Sequence, residues 1–346
     1  RIFPAYAFKL LLGCNKCDAK KPVRKIESKG ANMNSPLHIK LLLSAPLWAL
    51  LFFMSNWVTA ESADGSSERP LRVILIPADG GTESGTRADF EPLFNAVSRT
   101  TGLHFTMRVG QSYSAVIEAI SSNLVDIAWF GPVAYVQARD RGAAELLAVS
   151  VNNNNSVYYA GIFVAKESPI KTLADLKNRR VAFGDINSAS SFTYQIAMML
   201  EAGIKPAQEL GEIHLTGSHA NSIMALSEGL VDAACLSFES YQKAANQGAI
   251  DAQQFRVLAK SEPIPNPPIA MNTRLPEELK QRLRDAFHTV HLTPGITPQM
   301  IRGYGGKQVD RYDAEFPEDQ FSTAASQLAK VSDQLKADML RKAGAR

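Results

Sequence analysis

The sequence predicts an α/β protein of two lobes, each a mostly parallel sheet flanked by helices, with a ligand cleft between them. Three observations point there. Short apolar runs alternate with helical patterns from residue 71 onward, the rhythm of strand–helix–strand units. The segment Tyr113–Tyr135 recurs as His219–Tyr241, 106 positions later, with eight identities in 23 positions. A proline-rich stretch, PIPNPP at 263–268, then marks a return from the second lobe to the first. Units of this class resemble one another, so the repeat also fits two unrelated units. The shared order of helix, turn, LVDxA strand and helix favours duplicated lobes.

Taken in order, Leu71–Ala78 reads as a buried strand, Arg87–Thr100 as a helix, Phe105–Val109 as a strand, Ser114–Asn123 as a helix and Val125–Phe130 as a strand. Pro132–Arg139 follows as a helix with proline at its first position, where the missing N–H costs little. The segment from Tyr158 to Ala165 leads into the second lobe. There Arg180–Phe183, Ile213–Leu215, Val231–Leu236 and Phe255–Ala259 are expected strands, and Ser191–Ala202, Ala220–Glu228 and Glu239–Asn246 expected helices. Ile269–Met271 returns as a strand, with helices at Pro276–Val290 and near 319–342. The resulting division is lobe 1 over 70–164 and 263–305, lobe 2 over 165–262, and a C-terminal helical segment over 306–346.

The first 60 residues read as targeting sequence. Met33 opens a short stretch with His38 and Lys40, the apolar run Leu41–Met54 follows, and Val58-Thr59-Ala60 has the small-residue pattern of a cleavage site. These are the parts of a secretory signal peptide over 33–60, cleaved near Ala60, which places the mature chain in the periplasm. The run of fourteen is shorter than a membrane span needs; an uncleaved anchor is the alternative. Residues 1–32, upstream of Met33, read as an extension outside the native protein. Of 37 Lys and Arg and 34 Asp and Glu, nine and two lie in residues 1–60, leaving the remainder at a net −4. That balance argues against nucleic acid as a partner. Cys14 and Cys17 precede the signal segment, and Cys235 in an apolar strand reads as a small buried hydrophobe.

Candidate chemistry gathers at helix starts. Gly110-Gln111-Ser112-Tyr113, Asn187-Ser188-Ala189-Ser190-Ser191 and Gly217-Ser218-His219 each follow a strand or short loop. A helix N-terminus offers exposed N–H groups and a favourable dipole to an anion, and serine, tyrosine and histidine add donors. Taken singly, a serine there is an N-cap. Tyr158 and Tyr159 can line a cleft or pack an edge, and Glu239 can meet a cation or complement a helix dipole.

The segments QSYSAVIEAI, VDIAWFGP, VYYAGIFVAKESPIKTLADLK, VAFGDINSASSFTYQ, GSHANSIMALSEGLVDAA and EPIPNPPIAM resemble, in order and spacing, the phosphate/phosphite/phosphonate-binding periplasmic proteins of ABC importers, over about residues 70–305. The resemblance implies a two-lobed periplasmic-binding-protein fold, type II-like. It implies a phosphonate, phosphite or phosphate ligand, no cofactor, and delivery to a permease in the inner membrane. It places Tyr113, Ser188, Ser190 and His219 at the phosphoryl group and Tyr158 beside the ligand. Ala189, where threonine is common, offers only its backbone N–H. Glu239 matches an acid that meets an ammonium group in relatives taking aminoalkylphosphonates. Its usual acidic companion is replaced by Pro267, next to Asn266. With no Lys or Arg in these motifs, ligand charge is left to helix dipoles and a protonated His219.

Nothing in the sequence carries enzyme chemistry. There is no GxxxxGK[ST], no GxGxxG after the first strand, and no metal-ligand spacing beyond His288 and His291 on an expected solvated face. Asp126 and Asp232 read as turn and capping groups. A binding partner for a membrane sensor and an enzyme acting on a phosphorylated metabolite remain the other classes.

Overall fold

The computed structural model describes residues 63–78 and 83–345. The expected extension, signal segment and Cys14–Cys17 pair lie outside the described residues. Strands come in the order β1 (Leu71–Leu75), β2 (Phe105–Val109), β3 (Ile127–Trp129), β4 (Ala144–Val151), β5 (Val157–Tyr158), β6 (Ala160–Ala165), β7 (Arg180–Phe183), β8 (Glu212–Leu215), β9 (Ala233–Ser237), β10 (Phe255–Lys260), β11 (Ile264–Pro265), β12 (Pro268–Asn272) and β13 (Arg311–Asp313).

One sheet runs β2-β1-β3-β12-β4-β13 and the other β8-β7-β9-β6-β10. Read from β2 and from β8, five strands match in order and direction. A central strand, β1 or β7, is parallel to both neighbours. An antiparallel strand follows, β12 or β6, and then β4 or β10 paired antiparallel to it. Each sheet is therefore mixed. The strands of the helix-linked units are parallel, and the antiparallel members are those through which the chain crosses between sheets. The short pair β5–β11 carries both crossings side by side, with Tyr158 opposite Ile264.

The duplication extends to individual bonds. Asp126, just before β3, accepts from the Arg72 backbone N at 2.8 Å, from its Nε at 2.8 Å and from its terminal nitrogen at 2.7 Å. Asp232, before β9, accepts from the same three groups of Arg180 at 2.9, 3.3 and 2.8 Å. The two aspartates are strand-pinning ion pairs, more than the turn and capping groups expected. The preceding turns match as well: Asn123 and Gly229, 106 positions apart, both take positive φ, 57° and 69°. This left-handed turn ends each helix where glycine or asparagine is tolerated.

Both faces of the second sheet are covered. Ile162, Val164, Phe183, Phe192 and Met199 pack on one side, and Phe163, Ala182, Ile223 and Leu236 on the other, so β9 reads as an unbroken buried run. Cys235 lies inside it, its thiol pushed well up by burial.

Several elements differ from the sequence reading, among them β13, a strand within the expected C-terminal helical segment. β4 has no strong strand signal in AELLAVSV; its pairing with β12 and β13 defines it. The expected helix near 319–342 is two helices, Ser322–Lys330 and Asp333–Gly344, because Val331 enters the core and the Ser332 side chain caps a new start at Leu335 N. The first packs Ala324 into the core of the β1 sheet and the second packs Met339 into that of the β7 sheet.

Candidate functional site

Two helices begin just beyond the β1 and β7 sheets, and their first residues are Tyr113 and His219. Ser112 and Ser218 cap them, each accepting from the N–H three residues on at 3.1 Å. Tyr113 N donates to Asp185 Oδ2 at 3.1 Å, and His219 N donates to the Ala78 carbonyl at 3.0 Å. Each helix start thus reaches the loop after the central strand of the opposite sheet. The contact is reciprocal, and it falls at the carboxyl ends of β1 and β7, where ligands bind in open α/β sheets.

What lies under each side chain differs. A Cβ on Gly131 would stand 3.3 Å from the Tyr113 ring, so glycine leaves room for the phenol. At the equivalent place Ser237 N donates to His219 Nδ1 at 3.0 Å. An imidazolium has no lone pair there to accept this bond. The ring is the neutral tautomer with its proton on Nε2, which corrects the expectation of a protonated His219.

Ser188 caps the turn Ala189–Thr193, a π-type turn in which Thr193 N reaches the Ser188 carbonyl at 3.0 Å. Such turns recur at functional sites. The Ser188 hydroxyl accepts from Ser191 N at 3.1 Å, which uses a lone pair and leaves its O–H to donate. Gly184 makes the turn possible, since a Cβ there would fall 2.3 Å from Ser191 Oγ. Asp185 Oδ1 accepts from Asn187 N at 2.8 Å, and Asn187 Nδ2 donates to Ser114 Oγ at 2.8 Å, tying this turn to the Tyr113 helix. Burial pushes the Asp185 carboxyl above the usual range, against the pull of the Asn187 and Tyr113 N–H groups.

Tyr158 lies on β5. Burial drives its phenol far above the usual tyrosine range, with a Ser190 hydrogen bond acting the other way; it stays protonated and able to donate. Tyr113, Tyr158, Ser188, Ala189, Ser190 and His219 are each at most 2% exposed. All six are drawn into one region by Asp185, Asn187 and the aromatic packing.

Glu239, whose charge adds to the rise of the Tyr158 phenol, is the second residue of the helix Phe238–Asn246. It borders a cavity of about 330 Å³ together with Tyr159, Asn266 and Lys307. Burial raises its carboxyl, while its own backbone N–H, Lys307 and Lys260 lower it. One oxygen, Oε2, is buried with no hydrogen-bond partner. Asn266, beside Pro267, is held by its side-chain bond to the Ser150 carbonyl at 2.9 Å.

Sequence reasoning missed Asp185, Ser237 and Tyr304. Tyr304 packs edge-on against Tyr158 and His219 at ring-centroid distances of 5.7 and 6.2 Å and lies 5.6 Å from Trp129. Its hydroxyl meets Ser237 Oγ at 3.1 Å and Ser240 Oγ at 2.9 Å. An aromatic residue inside the glycine-rich run Gly303–Gly306 was the available signal.

Residues 81–312 match the family described as ABC transporter, phosphonate, periplasmic substrate-binding protein. A phosphate-import protein of Mycolicibacterium smegmatis is 28% identical over 265 residues, 72% of this chain and 81% of that protein. The phosphonates-binding periplasmic protein of Escherichia coli is 24% identical over 258 residues, 73% of this chain and 75% of that protein. The solved structure of PhnD1 from Prochlorococcus marinus with methylphosphonate shares the fold, at a TM-score of 0.66 and 18% identity over 75% of this chain and 97% of that one. The chain therefore belongs to the periplasmic phosphonate substrate-binding family of ABC transporters, a family of binding proteins and not of enzymes.

Proposed function

We propose that the chain, exported to the periplasm, captures a small phosphorus oxyanion (a phosphonate, phosphite or phosphate) between its two lobes and delivers it to an inner-membrane permease. The observation that carries this reading is the reciprocal meeting of two helix starts, led by Tyr113 and His219, beside the Ser188–Ser190 turn. In the proposed complex Tyr113, Tyr158, Ser188, Ser190 and the Nε2–H of His219 supply neutral donors, and Ala189 its backbone N–H. Helix dipoles balance the ligand's charge. Donors fixed in a buried site are costly to leave unpaired, so a ligand without matching oxygens is rejected.

Closure around the ligand then presents one surface to the permease. The family match and the relatives named for phosphate import and phosphonate binding support the ligand class. Calorimetric titration of the full chain with phosphite, methylphosphonate, 2-aminoethylphosphonate and phosphate tests it. Saturable binding of at least one is expected; no heat with any of the four, from folded protein, overturns the reading.

A further inference from the structure

We infer that Tyr304 sets the size of substituent the site accepts, by standing as a wall between the donor cluster and the polar cavity at Glu239; the inference rests on the proposed phosphorus-oxyanion reading. Tyr304 faces two neighbourhoods. On one side its ring packs against Tyr158, His219 and Trp129. On the other it borders the cavity shared by Glu239, Tyr159, Asn266 and Lys307. None of Tyr113, Ser188, Ser190 or His219 borders that cavity.

The wall is fixed at both ends. The Tyr304 hydroxyl bonds to Ser237 and Ser240 beside the β7 sheet. Its turn is closed by Gly303 N to the Lys307 carbonyl at 2.8 Å, and Val309 N reaches the Ile301 carbonyl at 3.0 Å. Gly305 and Gly306 take positive φ, 65° and 73°. A Cβ on Gly306 would stand 2.4 Å from Asp89 Oδ1, so the turn is seated directly on the helix Glu83–Thr101. A side chain held this way does not yield to a ligand without breaking several bonds.

Two consequences follow for the ligand. A substituent on a phosphoryl group in the donor cluster that points toward the Glu239 cavity meets the Tyr304 ring. The ring keeps an ammonium group on such a substituent from the buried, unpartnered Glu239 Oε2, although Lys307 and Lys260 only partly offset that carboxylate. The site is therefore selective for phosphite, phosphate or methylphosphonate over aminoalkylphosphonates.

The test is calorimetry with methylphosphonate and 2-aminoethylphosphonate on the wild-type full chain, Tyr304→Phe and Tyr304→Ala. Wild type and Tyr304→Phe are expected to favour methylphosphonate. Tyr304→Ala is expected to shift the ratio of the two affinities toward the aminoethyl ligand by about tenfold or more, the scale on which a pocket wall discriminates. An unchanged ratio, or a wild type that takes both equally, overturns the inference while leaving the binding function standing. Absence of all phosphorus-ligand binding removes that function and the inference with it. If Tyr304→Ala does not fold, the wild type with methyl-, ethyl- and propylphosphonate decides: a stepwise fall in affinity supports the wall, and a flat series contradicts it.

Discussion

Tyr113 and His219 hold the same place in the two lobes. Each is the first residue of a serine-capped helix, 106 positions apart, and each donates its backbone N–H to the loop after the opposite central strand. The two helix starts are equivalent in place, but one carries a phenol and the other a neutral imidazole. In the proposed complex a ligand between them would be gripped from both lobes, which would couple binding to closure.

The first prediction concerns that imidazole. His219→Ala removes the Nε2–H donor and leaves the Ser237 N–H without its acceptor. Methylphosphonate affinity should fall about ten- to a hundredfold, the worth of one hydrogen bond to a charged group at about 1.5–3 kcal/mol. Calorimetry reads it directly, and an unchanged affinity in the folded variant would count against His219 as a ligand group.

Asp185 gives a pH signature. Burial raises its folded-state pKa above the ordinary 3.8, so the folded protein holds this proton more tightly than the unfolded chain. The resulting stabilisation is complete below about pH 3.8 and is lost as pH rises through the raised folded value. Asp185→Asn lacks the titration. The difference in Tm, wild type minus variant, should therefore grow as pH is lowered from neutral; a difference that shrinks would falsify the assignment.

The matched aspartates differ in burial. The Asp126 side chain is 4% exposed and that of Asp232 28%. Asp126→Ala strands the Arg72 backbone N–H and should cost about 2–3 kcal/mol in denaturant unfolding. Asp232→Ala, whose partners are reached by water, should cost less. Equal losses would show that burial does not grade the two pairs.

An ion pair joins the lobes at their rim. Lys243 Nζ lies 2.8 Å from Asp89 Oδ2, linking the helices Phe238–Asn246 and Glu83–Thr101. Both side chains are partly exposed, so the pair is worth about 0.2–1 kcal/mol and is screened by salt. Lys243→Met should weaken ligand binding by only a few-fold and flatten its dependence on sodium chloride. A variant with the wild-type salt slope would remove the pair from closure.

Much of the fold was legible because it is written in local patterns. The apolar runs of β1, β2, β7 and β9 and the LVD repeat at Asp126 and Asp232 needed only the chain's own periodicity. β4 was not legible, since AELLAVSV suits helix and strand alike and its pairing with β12 decides it. The candidate site divides the same way. Tyr113, Ser188, Ser190 and His219 stand at helix starts that sequence can locate. Tyr304 comes from a segment beyond both lobes' repeats, and Asp185 acts through a backbone N–H 72 residues away. Neither contact has a local signature, because both are made by tertiary packing. The charge state of His219 was misread for the same reason: Ser237 N, supplied from β9, fixes its tautomer.

The most direct test of the central claim is phosphorus-31 NMR of methylphosphonate mixed with the full chain, wild type and Ser190→Ala/His219→Ala. The account predicts a separate, displaced resonance for bound ligand with the wild type, lost in the folded double variant. A single resonance at the free-ligand position with folded wild-type protein, or a bound resonance that survives the double variant, would contradict the claim that this buried donor cluster holds a phosphorus oxyanion.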